Sequence, residues 1–203
     1  MFSSPMVRAL LDGSKTQTRR IYKNRKHPDA GCDMAGCELV REPQHVIDRI
    51  CPYGTVGDRL WVRETFNGPM WFGEDEPKDS HTPKYCHYAA TEPGPPEYMD
   101  ADDNLVCRWK PSIHMPRWAS RITLEIVSVH VERLQDISQD DARAEGITDG
   151  GCINCGDPEP CKCTMPMPDA RESYCHLWGR INGPDSWLKN PWVWCVEFKR
   201  ITP

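Results

Sequence analysis

The stretch 121–134 most limits the folds open to this chain. Within it Ile122, Leu124 and Ile126 hold one parity, and Val127, Val129 and Val131 hold the other. Successive side chains of a strand point to opposite faces, so an uninterrupted strand keeps its apolar residues on one parity. The change of phase near Ile126 predicts a β-bulge, of the kind that bends a strand around a small barrel. A second strand is predicted over 192–201, where Trp192, Trp194, Val196 and Phe198 alternate onto one face. A third, over 59–65, follows the turn Tyr53-Gly54-Thr55-Val56-Gly57-Asp58. Leu60 and Val62 share one of its faces; Arg59, Trp61 and Arg63 share the other. Glu64 falls on the apolar parity. Either the strand ends there or a carboxylate faces a cleft.

Helix signals are fewer. Ser4 suits an N-cap, Pro5 the first helical position and Gly13 the stop, with Met6, Ala9 and Leu10 as the apolar stripe. Ser138 and Asp141 form a capping-box-like start for a short helix ending at Gly146. Glu145 then sits in its last turn, where the helix dipole disfavours a carboxylate. That place suits a proton shuttle, or an ordinary exposed Glu. Asp169 and Glu172 cap a last helix with Tyr174, Leu177, Trp178 and Ile181 as its stripe and Gly183 as its stop. Mixed strands and helices in 203 residues make an α+β chain of one domain. Three stretches read as insertions: 24–50, 67–106 and 149–168. The 19 prolines fit long ordered loops rather than a bundle.

The chemistry concentrates just past the first helix, in Gly13-Ser14-Lys15-Thr16-Gln17-Thr18-Arg19-Arg20. Lys15 offers a base or a cation, Thr18 a nucleophile or hydrogen-bonder, and Arg19 and Arg20 an anion clamp. A solvated basic turn is the competing reading. Lys15 and Thr18 are three apart, so a straight strand would turn them to opposite faces and only irregular backbone would let them converge. The loop 109–121, kept extended by Pro111 and Pro116, offers His114, Arg117 and Trp118 close together. Trp118 either stacks on a base or plugs the core.

Composition bounds the partners. A net charge of −5 argues against a protein that coats duplex DNA, although Lys15, Arg19, Arg20, Lys23, Arg25 and Lys26 make a local basic cluster. The residues 1–5 show no signal-peptide pattern, and no apolar run is long enough to span a bilayer. The 11 cysteines are an odd count, which reads as metal ligands and free thiols rather than a disulfide framework. Cys152, Cys155, Cys161 and Cys163 stand in a C-x2-C-x5-C-x-C run among Gly and Pro. Four thiolates so spaced suit a closed, structural Zn²⁺ site; reduced thiols are the alternative. Cys32, Cys37, Cys86 and His87 are weaker ligand candidates.

Together these features resemble the ASCH domain. The resemblance rests on the G-x-K-x-x-T-x-R pattern at Gly13, Lys15, Thr18 and Arg20, and on the turn-strand Gly57-Asp58-Arg59-Leu60-Trp61-Val62-Arg63-Glu64. It rests also on the long strand leading to Ala142-Arg143-Ala144-Glu145-Gly146-Ile147 and on the final Val-x-Phe strand. It covers residues 1–22, 52–66, 109–148 and 170–203. Residues 112–120 and 182–194 are similar to a phage and prophage group labelled morphogenetic. The resemblance implies a PUA-like fold, a small mixed β-barrel with flanking helices, working in the cytoplasm of a bacterial host. The family's best-defined enzymes are amidohydrolases that deacetylate the exocyclic amine of acetylcytidine. It implies catalytic roles for Lys15, Thr18 and Glu145. Arg19, Arg20, Trp61, Arg63, Glu64 and Trp118 are then the substrate-binding candidates, for a modified nucleoside or single-stranded RNA. Other relatives bind or cleave RNA, so an RNA-binding module, a ribonuclease or a non-catalytic phage accessory protein remain the competing readings.

Overall fold

The computed structural model describes residues 2–71, 75–99, 104–148 and 169–201. The four-cysteine run at Cys152, Cys155, Cys161 and Cys163 lies outside them. The helices are α1 (Ser4–Asp12), α2 (Gly36–Leu39), α3 (Gln44–Ile50), α4 (Gln139–Ala144) and α5 (Ala170–Asn182). The strands are β1 (Gln17–Ile21), β2 (Arg25–Lys26), β3 (Asp33–Met34), β4 (Arg59–Trp61), β5 (Phe66–Asn67), β6 (His87–Tyr88), β7 (Glu97–Met99), β8 (Leu105–Cys107), β9 (Thr123–Arg133) and β10 (Trp192–Ile201). The fold is mixed α+β on an antiparallel sheet of order β1-β10-β9-β4. Among the described residues no helix is long and apolar enough to cross a membrane.

The chain divides into two compact units, one of residues 1–12, 60–124 and 200–203, the other of 13–59 and 125–199. The second holds most of the sheet. In it β1 pairs antiparallel with β10, Thr18 opposite Val196 and Arg19 opposite Cys195. A bulge does lie at Ile126, but its extra residue is on the facing strand, not in the 121–134 strand whose phase change predicted it. The Gly57 N–H donates to the Ile126 carbonyl at 2.9 Å, and the Ile126 N–H to the Asp58 carbonyl at 2.9 Å. Two residues therefore oppose one. With Gly57 at φ 90°, a conformation that suits Gly, this is the G1 form of bulge. The Asp58 carboxylate secures the turn by accepting the Thr55 N–H at 2.8 Å.

The buried positions of β9 step from Leu124 and Ile126 to Val129 and Val131, as its sequence indicated. β10 differs from expectation. Val193, Trp194, Cys195 and Val196 are all buried, so the strand is covered on both faces, not one. On one side Val193 and Cys195 join Leu134, Ile137, Ala142, Tyr174 and Trp178 in a core roofed by α4 and α5. The stretch 24–50, read as an insertion with no helix signal of its own, contains two helices; Val46, Ile47 and Ile50 give α3 its buried stripe. Its Pro43 start and single turn and a half of apolar spacing are too short for a periodic signal.

The other unit is built from short ladders. β5 pairs with β6 and β7 with β8. Phe66, Tyr88, Met115 and Ala119 make its core, with Trp61, Cys86 and Trp118 packed against it. α1 buries Val7, Ala9 and Leu10, and Arg8 ties it to the Ala90 carbonyl at 3.1 Å.

Gly36 opens α2 against β10. A Cβ there would fall 2.3 Å from Trp192 Cγ. Gly36→Ala should therefore overpack the site and cost about 1–3 kcal/mol in urea unfolding, with the slope unchanged. Gly94, where an added Cβ meets nothing within 4 Å, is the control, and Gly94→Ala should leave the midpoint in place.

Candidate functional site

Gly13, at φ 84°, ends α1 and turns the chain into β1. Lys15 and Glu145 then meet as an antiparallel bridge, and the Thr16 N–H donates to the Ala144 carbonyl at 2.8 Å. The end of α4 is thus stitched to the beginning of β1. α4 itself begins as its sequence indicated: Ser138 Oγ accepts the Asp141 N–H at 3.0 Å, and Asp141 Oδ2 accepts the Ser138 N–H at 3.1 Å. Glu145 is its C-cap.

Lys15 Nζ donates to Glu145 Oε2 at 2.7 Å, to the Glu145 carbonyl at 2.7 Å and to the Gln17 carbonyl at 2.8 Å. The two side chains are 1% and 4% exposed. Burial pushes the Lys15 amine below its usual value; the Glu145 carboxylate opposes that, without cancelling it. Three acceptors around one nitrogen are the pattern of an ammonium group. Two further groups approach Glu145 Oε1: the Tyr174 hydroxyl donates at 3.4 Å and Arg19 Nη1 lies at 3.5 Å. Burial, with the Glu145 carboxylate next in size, raises the Tyr174 phenol well above its usual value.

Arg19 is an interior cation. Its Nε donates to Glu132 Oε1 at 2.9 Å and its Nη1 to Gln17 Oε1. Nη2 lies 2.8 Å from Glu132 Oε1 without hydrogen-bond alignment, and 3.6 Å from Asp141 Oδ2. Burial works against its charge, but the carboxylates of Glu132 and Glu145 outweigh that and hold the guanidinium charged. Burial likewise works to raise Glu132, yet His130, Arg19 and Cys195 bring its carboxyl below the ordinary value. The cluster so described has two cations, Lys15 and Arg19, and three carboxylates, Glu132, Asp141 and Glu145.

The expected triad is joined only in part. Lys15 and Glu145 come together across 130 positions of sequence. Thr18 lies in β1, between Gln17 and Arg19, whose side chains both reach the charged cluster. Alternation turns Thr18 to the opposite face, where it is 9% exposed, and its hydroxyl makes no hydrogen bond among the described residues. Arg20 shares the Thr18 parity and donates to the Arg19 carbonyl at 3.4 Å.

The other substrate-binding candidates belong to the other unit. Glu64 is 2% exposed and held bidentately by Arg121, Nε–Oε1 at 2.9 Å and Nη2–Oε2 at 3.0 Å. Arg121 in turn lies over the Tyr88 ring, 3.9 Å from its centroid. Trp61 carries two guanidiniums, Arg63 at 4.6 Å and Arg117 at 5.8 Å from its ring centroid. Trp118 packs on the core, with the His81 ring 4.9 Å away in an edge contact. Cys32, Cys37, Cys86 and His87 form no ligand cluster among the described residues.

Sequence reading missed Gln17, Glu132 and Cys195 as parts of the cluster. The available signal was parity. His130 and Glu132 alternate with buried Val129 and Val131, which reads as a solvent face but is partly an interior one.

No family model, no curated protein and no solved structure matches this chain.

Asp141 is held below its ordinary value of 3.8: burial opposes this, but its Ser138 hydrogen bonds, then Arg19, prevail. A depressed carboxyl adds stability that is complete above its unfolded value and lost as pH falls through the folded one. Asp141→Asn should therefore cost about 1 kcal/mol near neutrality, mainly as a weakened cap, and the gap from wild type should narrow below pH 3.8. Urea unfolding at neutral and acid pH reads both.

Proposed function

We propose that this chain is a nucleoside- or nucleic-acid-directed hydrolase of PUA-like fold, cleaving the amide of an N-acylated cytidine-like base. The observation that carries the reading is the Lys15–Glu145 contact at 2.7 Å, a lysine with lowered proton affinity against a carboxylate inside the protein. Lowering the proton affinity of the amine eases the release of its proton, which is what a general acid requires. In amide hydrolysis water adds to the acyl carbonyl and gives up a proton. The C–N bond then breaks and the departing amine takes one. Nζ begins with its three acceptors filled, so it enters as the proton donor and Glu145 as the acceptor. Thr18 faces away from this pair, so the nucleophile in this reading is water.

A second reading is favoured by the completeness of that same pairing. A lysine with three acceptors, beside a carboxylate 4% exposed, is also how a structural ion pair is built. The chain is then a binding module for a short RNA strand, working through Trp61, Arg63 and Arg117. A guanidinium stacked on an indole keeps its N–H edge free for a phosphate, and the indole offers a base-stacking surface.

The test is acetate release from N4-acetylcytidine by the purified chain. Hydrolysis is expected, with Lys15→Met and Glu145→Gln each slowing it by about 10²–10⁴-fold while the circular dichroism stays native. Thr18→Val should retain most of the rate. No acetate release, together with salt-dependent RNA binding weakened about 1–3 kcal/mol by Trp61→Ala, would replace the hydrolase by the binding module.

A further inference from the structure

β9 and β10 bring together three side chains that neither reading uses. His130 and Glu132 are two apart on β9 and so share a face; Cys195 comes from β10. A ring nitrogen, a carboxylate oxygen and Sγ from the three lie within 4.8 Å of one another. Cys195 Sγ donates to Glu132 Oε1 at 3.1 Å, and His130 Nε2 lies 3.6 Å from Glu132 Oε2. We propose that His130, Glu132 and Cys195 form a binding site for a divalent transition-metal ion of the zinc class.

The donor set selects the class of ion. Imidazole, thiolate and carboxylate on one centre suit Zn²⁺ or Co²⁺, whereas Mg²⁺ and Ca²⁺ take oxygen alone. Three protein ligands leave the fourth tetrahedral position open, the arrangement of a reactive rather than a closed structural site. Zn–N, Zn–O and Zn–S bonds of about 2.0–2.3 Å place tetrahedral ligand atoms about 3.3–3.8 Å apart. The widest separation here must close by roughly 1 Å to reach that. The His130 side chain, 39% exposed, has room to make that movement.

Charge favours the ion as well. The surrounding cluster holds three carboxylates against two buried cations, one negative charge in excess. A dication that displaces the Cys195 proton to solvent adds two charges and creates one thiolate, which brings the cluster to balance. Arg19 competes for Glu132, but at Oε1. Oε2, on the His130 side, is the oxygen left to the metal. The way in lies along the same side, where His130 and Glu132 are 39% and 20% exposed above a buried thiol.

The inference does not depend on amide hydrolysis, and its readout is the metal. The chelator-treated full chain is loaded with Zn²⁺, desalted and weighed by native mass spectrometry beside Cys195→Ser and His130→Ala. Each variant should hold one equivalent less than wild type, whatever the four-cysteine run at 152–163 binds. Because Cys195 is buried and its variant could misfold, the half-exposed His130 decides the matter. Equal zinc content in wild type and His130→Ala, including no zinc in either, would overturn the site. Co²⁺ loading supplies the second measurement. The wild type should gain more sulfur-to-cobalt absorption than Cys195→Ser, and identical spectra would also overturn it.

Discussion

The contact between Lys15 and Glu145 is the one on which the arrangement of this site depends. It joins the start of the first strand to the end of α4 through two hydrogen bonds that Lys15 Nζ donates to Glu145, while a third holds the same nitrogen to the Gln17 carbonyl. Nζ bonds both the carboxylate of Glu145 and its backbone carbonyl, at the end of α4 where carbonyls lack intrahelical partners and the dipole favours a cation. The lysine therefore answers a backbone need and a side-chain charge together. Remove it, and the Glu145 carboxylate keeps only the longer contacts of Tyr174 and Arg19 while its carbonyl loses the lysine donor.

Burial makes the surrounding charges interdependent. An ion away from water is tolerated only when paired and hydrogen-bonded, and breaking one partner costs more than the pair was worth. Arg19 illustrates the point. Its side chain is 0% exposed, and it is shared among Glu132, Asp141 and Glu145. Gln17 orients the group by accepting from Arg19 and donating toward Asp141. A chain of net charge −5 thus spends part of its basic residues inside, and they are not available as an anion clamp on the surface. The exposed cation–aromatic chemistry lies instead at Trp61 with Arg63 and Arg117.

Much of the fold was legible because its signals are local. The Ser138–Asp141 cap, the Asp169 cap of α5, the Gly13 and Gly146 stops and the phase change on β9 all depend on residues within a few positions of one another. The Lys15–Glu145 meeting followed from the family resemblance, not from spacing. What remained hidden was non-local. That Arg19 points inward is settled by Glu132, 113 positions away, and strand parity alone cannot tell an interior charged face from a wet one. Cys195 was hidden for the converse reason. Both parities of β10 are buried, so alternation carried no information there. Thr18 sits where a regular strand would place it; the irregular backbone that would turn it toward Lys15 is absent from β1.

The central claim is that Lys15 and Glu145 are energetically one unit. A double-mutant cycle with Lys15→Met, Glu145→Gln and the double variant, read by urea unfolding near neutral pH, addresses it directly. Each single change should cost about 3–5 kcal/mol, because it strands the other group in the interior. The double variant should cost much less than the sum, leaving a coupling of about 2–3 kcal/mol. Additive losses, with coupling below about 0.5 kcal/mol, would contradict the claim.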